Sequence, residues 1–201
     1  MYLRKRRLMK FTIQKGNGLK GEISVPGDKS ISHRAIMLAS LANGNSEISG
    51  FLEGEDCLAT IEVFKKMGVN ISKNEEKFVV EGRGLHGLAS PSSPLDFRNS
   101  GTSVRLCSGV LAAQQFSSTL LGDSSLSSRP MTRITEPLEL MGANTISTEE
   151  GTLPIRIEPV ESLKSIKYSL PVASAQVKSC ILFAGLYSKG NTEIEEKVTT
   201  R

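Results

Sequence analysis

The chain contains no tryptophan, and aromatic residues make up 5% of its 201 positions. Hydrophobic residues make up 38%, so we expect one sizeable α/β domain with an aliphatic core. Sparse aromatic rings also argue against a surface for single-stranded nucleic acid, because such surfaces stack bases on rings. No apolar run approaches the length of a membrane span, and this predicts a protein without a membrane segment.

Cysteine and histidine are scarce as well. Cys57, Cys107 and Cys180 are far apart and lack the spacing of metal ligands, which is typical of reduced thiols in the cytosol. His33 and His86 are too few to form a metal site by themselves. We interpret His33 as a helix-surface residue beside a ligand and His86 as an exposed loop residue. The sequence therefore predicts a cytoplasmic protein without a protein-bound metal.

The net charge of +4 is concentrated at one end of the chain. Positions 1–10 contain no acidic residue, so the remainder of the chain is close to neutral. The basic residues of this leader are Arg4, Lys5, Arg6, Arg7 and Lys10. A short basic leader is not the basic stripe of a nucleic-acid surface, and no nucleic-acid partner is expected. No apolar segment follows it, so it does not match a secretory signal peptide.

The sequence also repeats itself. Positions 38–48 resemble positions 183–194, and positions 66–71 resemble positions 140–145. The second pair is separated by about half the spacing of the first, so two copies are complete and a third has begun. Each copy is predicted to have the element order βαβαββ, in units of about 22–90, 95–160 and 165–201 with the third unit incomplete. Three such units would pack their helices inside a shell of sheets.

Within the first copy, alternating residues predict short strands at 11–15 and 21–26. A helix is predicted over about 30–43, and Asp56 is expected to be the N-cap of the next helix. The apolar face of the first helix is predicted to consist of Ile31, Ala35, Leu38 and Ala42.

Polar clusters recur where the first helix of each copy begins, at 28–34, 99–105 and 173–179. A helix N-terminus offers free N–H groups and a positive dipole end, and small hydroxyl residues let an anion approach. For Ser30, Ser100 or Ser174 alone, a simple helix cap is the plainer interpretation. Three such starts with added Lys and Arg predict a ligand that carries several anionic groups.

A further polar loop at 122–131 follows a predicted strand and contains Arg129 directly before Pro130. A surface arginine is usually only solvated. An arginine restrained by a following proline in a Gly/Ser loop is better suited to clamp an anion.

Four ordered segments resemble the signature motifs of the 5-enolpyruvylshikimate-3-phosphate synthase family. They are Pro-Gly-Asp-Lys-Ser at 26–30, Asn-Ser-Gly-Thr at 99–102, Arg-Pro-Met at 129–131 and Ala-Ser-Ala-Gln-Val-Lys-Ser at 173–179. The match extends from about position 10 to position 201, roughly half of the family's usual length. The resemblance implies an enolpyruvyl transferase-like inside-out α/β barrel. It assigns 22–201 to a substrate-binding domain and 1–21 to packing against another domain, in a protein that is monomeric when complete.

The resemblance also implies the reaction, in which the enolpyruvyl group of phosphoenolpyruvate is transferred to the 5-hydroxyl of shikimate 3-phosphate. Lys29 would be catalytic and lie between both substrates, and no organic cofactor or metal would be required. The implied ligands of shikimate 3-phosphate are Ser30, Arg34, Ser174, Ala175, Gln176 and Arg201. The implied ligands of phosphoenolpyruvate are Asn99, Gly101, Thr102 and Arg129, with Arg105 as structural support. Gly101 would leave room for the herbicide glyphosate, so the complete enzyme is expected to be sensitive to it.

Two other interpretations stay open. The sister transferase that acts on UDP-N-acetylglucosamine shares the fold, but most of its members carry a reactive cysteine early in the Arg-Pro loop, where this chain has Ser124. A non-catalytic anion-binding half-module is the alternative from another class, because further charged groups of the family's machinery come after position 201. For the same reason we expect this chain alone to be inactive.

Overall fold

The computed structural model describes residues 11–16, 18 and 20–197. Within the described residues, helices alternate with short strands, as expected for a mixed α/β protein. The helices are α1 (Lys29–Leu41), α2 (Glu55–Lys66), α3 (Gly101–Leu111), α4 (Ser124–Ser127), α5 (Thr132–Leu140) and α6 (Ala175–Gly185). The strands are β1 (Asn43–Ile48), β2 (Asn70–Asn74), β3 (Lys77–Arg83), β4 (Leu95–Asp96), β5 (Ser118–Leu121), β6 (Asn144–Ile146), β7 (Ile155–Glu158), β8 (Lys167–Ser169) and β9 (Glu193–Glu195).

These strands form three sheets, one for each predicted copy of the repeat. The first has the antiparallel order β1-β3-β2. The second has the order β4-β5-β7-β6, in which β4 pairs in parallel with β5 and the other pairs are antiparallel. The third consists of β8 and β9 in parallel. In the second and third sheets, the strand before a helix therefore pairs with the strand after it.

Helix α3 lies in the interior. Every residue of it except Thr102 and Arg105 is buried, so these two side chains mark its one open face at the N-terminal end. The helix packs most closely on α6 at Gly109, where an added Cβ would lie 2.1 Å from the backbone oxygen of Cys180. Only glycine permits this approach, because the obstructing atom belongs to the backbone and cannot move aside.

All three cysteines are buried free thiols, in agreement with the prediction. Burial raises the pKa of Cys57 to about 11 and that of Cys107 to about 12. Burial raises the pKa of Cys180 further still. Each thiol lies on a different helix, Cys57 on α2, Cys107 on α3 and Cys180 on α6.

The predicted strands at 11–15 and 21–26 are wrong for the described chain. Ile23 and Val25 are 86% and 77% exposed, and Phe11 and Ile13 are 80% and 93% exposed. A strand needs a hydrogen-bonded neighbour, and none of the described strands pairs with either segment. Alternation alone therefore misled the prediction. The expected packing of 1–21 against another domain stays a prediction, and residues 1–10 lie outside the described part.

The predicted apolar face of α1 is also wrong. Ile31 and Leu38 are 61% and 51% exposed, whereas Ser32 and His33 are buried. The buried polar side chains are tolerated because they are hydrogen-bonded, Ser32 Oγ to the Asp28 carbonyl and His33 to another helix. His33 is therefore not a helix-surface residue, whereas His86 is exposed as predicted.

Several element boundaries match the sequence prediction closely. Helices α1, α3 and α6 begin at Lys29, Gly101 and Ala175, within the polar clusters at 28–34, 99–105 and 173–179 where helix starts were predicted. The N-cap of α2 is Gly54 instead of Asp56, which lies in the first turn. None of the described helices has the length and apolar character needed to cross a membrane.

Candidate anion-binding site

Helices α1, α3 and α6 begin with side-chain caps. Asp28 Oδ1 accepts a hydrogen bond from Ile31 N at 2.7 Å, and the hydroxyls of Ser100 and Ser174 do the same for α3 and α6. No acidic residue lies in the first turn of any of the three. The positive ends of α3 and α6, which are capped by hydroxyls, therefore lack a fixed negative side chain, and this favours anion binding, whereas α1 carries the Asp28 carboxylate at its cap. Ser30 does not cap α1 and is an exposed residue at the second position of the helix.

The starts of α3 and α6 meet at Gln176. Its Oε1 accepts a hydrogen bond from Arg105 Nη1 at 2.8 Å, and its Nε2 donates to Thr102 Oγ1 at 3.0 Å. Arg105 also donates to the carbonyl oxygen of Pro130. Arg105 thus supports the Arg-Pro loop, as the sequence suggested, and joins it to both helices.

Arg129 is restrained by a chain of hydrogen bonds. Its Nη2 donates to Asn99 Oδ1 at 2.5 Å, and Asn99 Nδ2 donates to Asp123 Oδ2 at 2.7 Å. Asp123 also caps α4 by accepting from Leu126 N. The hydrogen bonds from the Leu126 backbone and from Asn99 lower the pKa of Asp123, and Arg129 adds to the effect. Asp123 therefore stays ionised and fixes the orientation of Asn99, which in turn orients Arg129.

Gly101 lies between two guanidinium groups. A Cβ on Gly101 would lie 3.0 Å from Nη1 of Arg105 and 3.0 Å from Nη1 of Arg129. Burial lowers the pKa of Arg105, and the positive charges of Arg129 and Arg133 lower it further. Neither Arg105 nor Arg129 has a carboxylate partner in an ion pair within the described chain. Close cations without a carboxylate partner form a site that a bound anion would stabilise.

A cavity of about 280 Å³ opens beside these groups. It is large enough for a small phosphorylated acid. Its lining residues come from α3, α5, α6 and the Arg-Pro loop: Arg105, Arg129, Pro130, Arg133, Ser174, Gln176 and Val177. The predicted residues Arg129, Ser174 and Gln176 are thus brought together. Arg133, which the sequence analysis did not select, joins them from the first turn of α5.

Lys29 and Arg34 lie elsewhere along α1. Lys29 Nζ forms an ion pair with Asp56 of α2, and both side chains are partly exposed. Arg34 lines a separate, apolar cavity of about 200 Å³ between α1 and α6 and is absent from the lining of the polar cavity. Ala175 is exposed at the first position of α6. Arg201 lies outside the described residues.

Sequence reasoning also missed Asp56 and Asp123. Asp56 belongs to the second helix of the first copy, and nothing in the repeat indicates that it reaches Lys29. Asp123 was detectable, because an Asp that follows a strand and precedes Ser-Ser-Leu is a common N-cap pattern.

The fold and this site define an α/β protein that gathers cations and helix N-termini around a small anion-sized cavity. Residues 13–201 match the family described as EPSP synthase (3-phosphoshikimate 1-carboxyvinyltransferase). The chain belongs to this family.

Curated relatives agree with that assignment. The chain is 57% identical over 192 residues to a 3-phosphoshikimate 1-carboxyvinyltransferase of Methylococcus capsulatus, covering 95% of this chain and 44% of the relative. It is 56% identical over 194 residues to that of Vesicomyosocius okutanii, covering 96% and 44%. A solved EPSP synthase from Acinetobacter baumannii superposes with a TM-score of 0.87 at 52% identity, covering 90% of this chain and 41% of that one. The chain thus spans less than half the length of the relatives it matches.

Proposed function

We propose that this chain carries the substrate-binding part of an enzyme that transfers the enolpyruvyl group of phosphoenolpyruvate to the 5-hydroxyl of shikimate 3-phosphate, releasing phosphate. The observation that carries the proposal is the pair of guanidinium groups, on Arg105 and Arg129, that converge on Gly101 at the open end of α3. Family membership and the names of the relatives support the choice of substrates.

Phosphoenolpyruvate is assigned to the start of α3. Arg129 is pre-oriented through Asn99, so it can contribute two parallel hydrogen bonds to a phosphate or carboxylate without first being ordered. Thr102 offers a helix-start N–H group on the same side, and the missing side chain of Gly101 keeps the space between the guanidinium groups open.

Shikimate 3-phosphate is assigned to the starts of α6 and α1. Ser174, Ala175 and Gln176 form the first turn of α6, which has no acidic residue to oppose a phosphate. On α1, Ser30 is exposed, and Arg34 is proposed to complete the binding of this substrate. Arg201 is assigned to the same substrate by its place in the family pattern.

Lys29 is proposed to lie between the two substrates. Its ion pair with Asp56 holds the ammonium at the edge of α1 until an anion competes for it. The acceptor 5-hydroxyl adds to C2 of phosphoenolpyruvate while C3 gains a proton. Phosphate then leaves the tetrahedral intermediate while C3 loses a proton, which restores the double bond. This chain would contribute positioning and charge stabilisation to both steps.

The finer architecture belongs to the same proposal. We infer three related units across 22–201, of which the second is a full βαβαββ unit, the first lacks its opening strand and the third is incomplete, because the second and third sheets contain the parallel pairing expected of each copy. We also propose that 1–21 packs against another domain, and that the protein is cytoplasmic and monomeric when complete. Its partners are then the two small-molecule substrates, and it needs no organic cofactor or metal.

The test is a nitrogen–proton correlation NMR titration with shikimate 3-phosphate, with phosphoenolpyruvate, and with UDP-N-acetylglucosamine as the control. We expect shifts near Ser30 and Gln176 with the first ligand and near Gly101 with the second. Shifts with the UDP sugar alone would favour the sister transferase. Equal responses to any phosphate ester would favour a general anion-binding module.

A matched pair of arginine variants makes the titration quantitative. Arg129→Ala should weaken phosphoenolpyruvate binding by roughly tenfold or more, because it removes charge-assisted hydrogen bonds. Arg156→Ala is the control, since Arg156 is an exposed residue paired with Glu158 on β7. Equal effects of the two variants would contradict the assignment of Arg129.

A further inference from the structure

A buried row of polar side chains links α1, α2 and α3 beneath the candidate site. His33 Nδ1 lies 2.7 Å from Thr60 Oγ1, and Thr60 Oγ1 lies 2.8 Å from Ser103 Oγ. All three residues are buried, at 0% exposure. Ser103 reaches the Cys107 thiol one turn further along α3. Isolated polar groups at such depth are costly, so a continuous row indicates a specific hydrogen-bond arrangement.

The hydroxyl of Thr60 fixes the direction of the row. A hydroxyl has a single hydrogen, and Thr60 donates it to Ser103 Oγ or, at the longer distance of 3.4 Å, to the Asp56 carbonyl oxygen. Either bond uses that hydrogen. The third acceptor within reach is His33 Nδ1 itself, but that bond would place the ring hydrogen on Nε2, where a buried N–H would have no acceptor. The nitrogen of His33 that faces Thr60 is therefore the donor, in the tautomer protonated at Nδ1. In this tautomer Nε2 carries no hydrogen, and Nε2 is buried without a hydrogen-bond partner.

The charged groups around His33 favour the neutral ring. Burial is the largest cause that lowers its pKa to about 4, and Lys29 and Arg34 on its own helix act in the same direction. Asp56, from α2, acts in the opposite direction and does not overcome them. At neutral pH the ring therefore keeps one hydrogen, at the position that the Thr60 hydroxyl dictates.

We propose that His33 is a positioning residue that, as the Nδ1-protonated tautomer, ties α1 through Thr60 to Ser103 at the start of α3. Lys29 and Ser30 lie one turn before His33, and Gly101 and Thr102 directly precede Ser103. The row therefore fixes the distance between the two helix starts that hold the candidate ligands. The identity of those ligands rests on the proposed function, whereas the tautomer and the tether do not.

The tautomer is measured directly by long-range nitrogen–proton NMR of the histidine rings. We expect Nδ1 of His33 to carry the hydrogen and Nε2 to be bare. The opposite tautomer would overturn the proposal whatever the protein binds.

Two pairs of variants test the tether. His33→Asn places an amide nitrogen where Nδ1 lies, and His33→Gln places one nearer to Nε2, so only His33→Asn should preserve the amide positions of Gly101 and Thr102. Thr60→Val removes the hydroxyl and keeps the shape, whereas Thr60→Ser keeps the hydroxyl. We expect Thr60→Val to weaken inorganic phosphate binding by roughly three- to tenfold, the equivalent of one hydrogen bond, and Thr60→Ser to restore it.

Ile61→Val is the control for general destabilisation, because Ile61 is the buried neighbour of Thr60 on α2. It should lower stability without moving the Gly101 and Thr102 amides. If Thr60→Val fails to fold, Ser103→Ala and the tautomer of the unchanged protein still decide the question. Unshifted amides and unchanged phosphate affinity in a folded Thr60→Val would show that the row positions nothing.

Discussion

Lowering the pH from 7 to 4 should remove about 3 kcal/mol from the free energy of unfolding through His33 alone. The ordinary pKa of histidine is 6.5, and burial lowers that of His33 to about 4. Each unit of pKa difference corresponds to about 1.4 kcal/mol. At pH values between 6.5 and about 4, the unfolded chain takes up a proton at His33 and the folded chain does not. Stability is therefore full above pH 6.5 and decreases until about pH 4.

The assay is urea unfolding at a series of pH values, compared between the unchanged chain and His33→Asn. Carboxylates such as Asp123 also respond to acid, so the difference between the two proteins isolates the contribution of His33. Asn keeps the hydrogen-bond donor towards Thr60 and cannot titrate. His86→Asn is the matched control, because His86 is exposed.

We expect the curve for His33→Asn to be flatter than that of the unchanged chain by about 3 kcal/mol over this window. The curve for His86→Asn should keep the full slope. Parallel curves for the unchanged chain and His33→Asn would refute the reasoning, because they would mean that the buried ring accepts its proton in the folded state.

Three further predictions concern the site, the core and the chain as a whole. Gly101→Ala should lower stability only slightly, because each guanidinium group meets the new methyl group at 3.0 Å and needs to shift by only a few tenths of an ångström. The same shift should weaken phosphoenolpyruvate binding about tenfold and reduce inhibition of the complete enzyme by glyphosate, so unchanged calorimetric titrations and inhibition curves would count against it. Gly109→Ala should lower the free energy of unfolding in urea by about 3 kcal/mol or more, because the new methyl group meets the Cys180 backbone. The control Gly16→Ala, at an exposed position, should have almost no effect, and equal losses in the two variants would contradict the close approach of α3 and α6. The 201-residue chain alone should release phosphate from the two substrates no faster than a blank, and measurable turnover in a phosphate assay would show that the catalytic groups are complete within it.

Much of the helical framework could be predicted, because apolar spacing and repeated glycines mark the elements locally. The strands at 11–15 and 21–26 could not, because whether an alternating segment forms a strand depends on a neighbour from elsewhere in the chain. The α1 face failed for a related reason. Hydrophobic periodicity assumes that buried positions are apolar, whereas α1 buries Ser32 and His33 by hydrogen-bonding them.

The candidate site divides in the same way. Arg129, Gly101 and Gln176 were found from motifs whose residue types match anion binding. The groups that orient them were not, because Asp123 acts through Asn99 across a gap of 24 positions, and Asp56 meets Lys29 only after α1 and α2 have packed. Motifs predict candidate ligand-binding side chains, whereas the orientation of those side chains depends on tertiary contacts. Even Asp123, which is recognisable as an N-cap, shows no local sign of its contact with Asn99.

The three buried thiols can report when separate parts of the folded chain open. A thiol with a raised pKa and no exposure reacts with an alkylating reagent only when its surroundings open. Cys57, Cys107 and Cys180 lie on α2, α3 and α6, so their separate labelling rates would time the opening of each helix. If α3 and α6 separate only on global unfolding, Cys107 and Cys180 would be labelled at the same rate. Cys57 would then be the one thiol of the three that could be labelled faster.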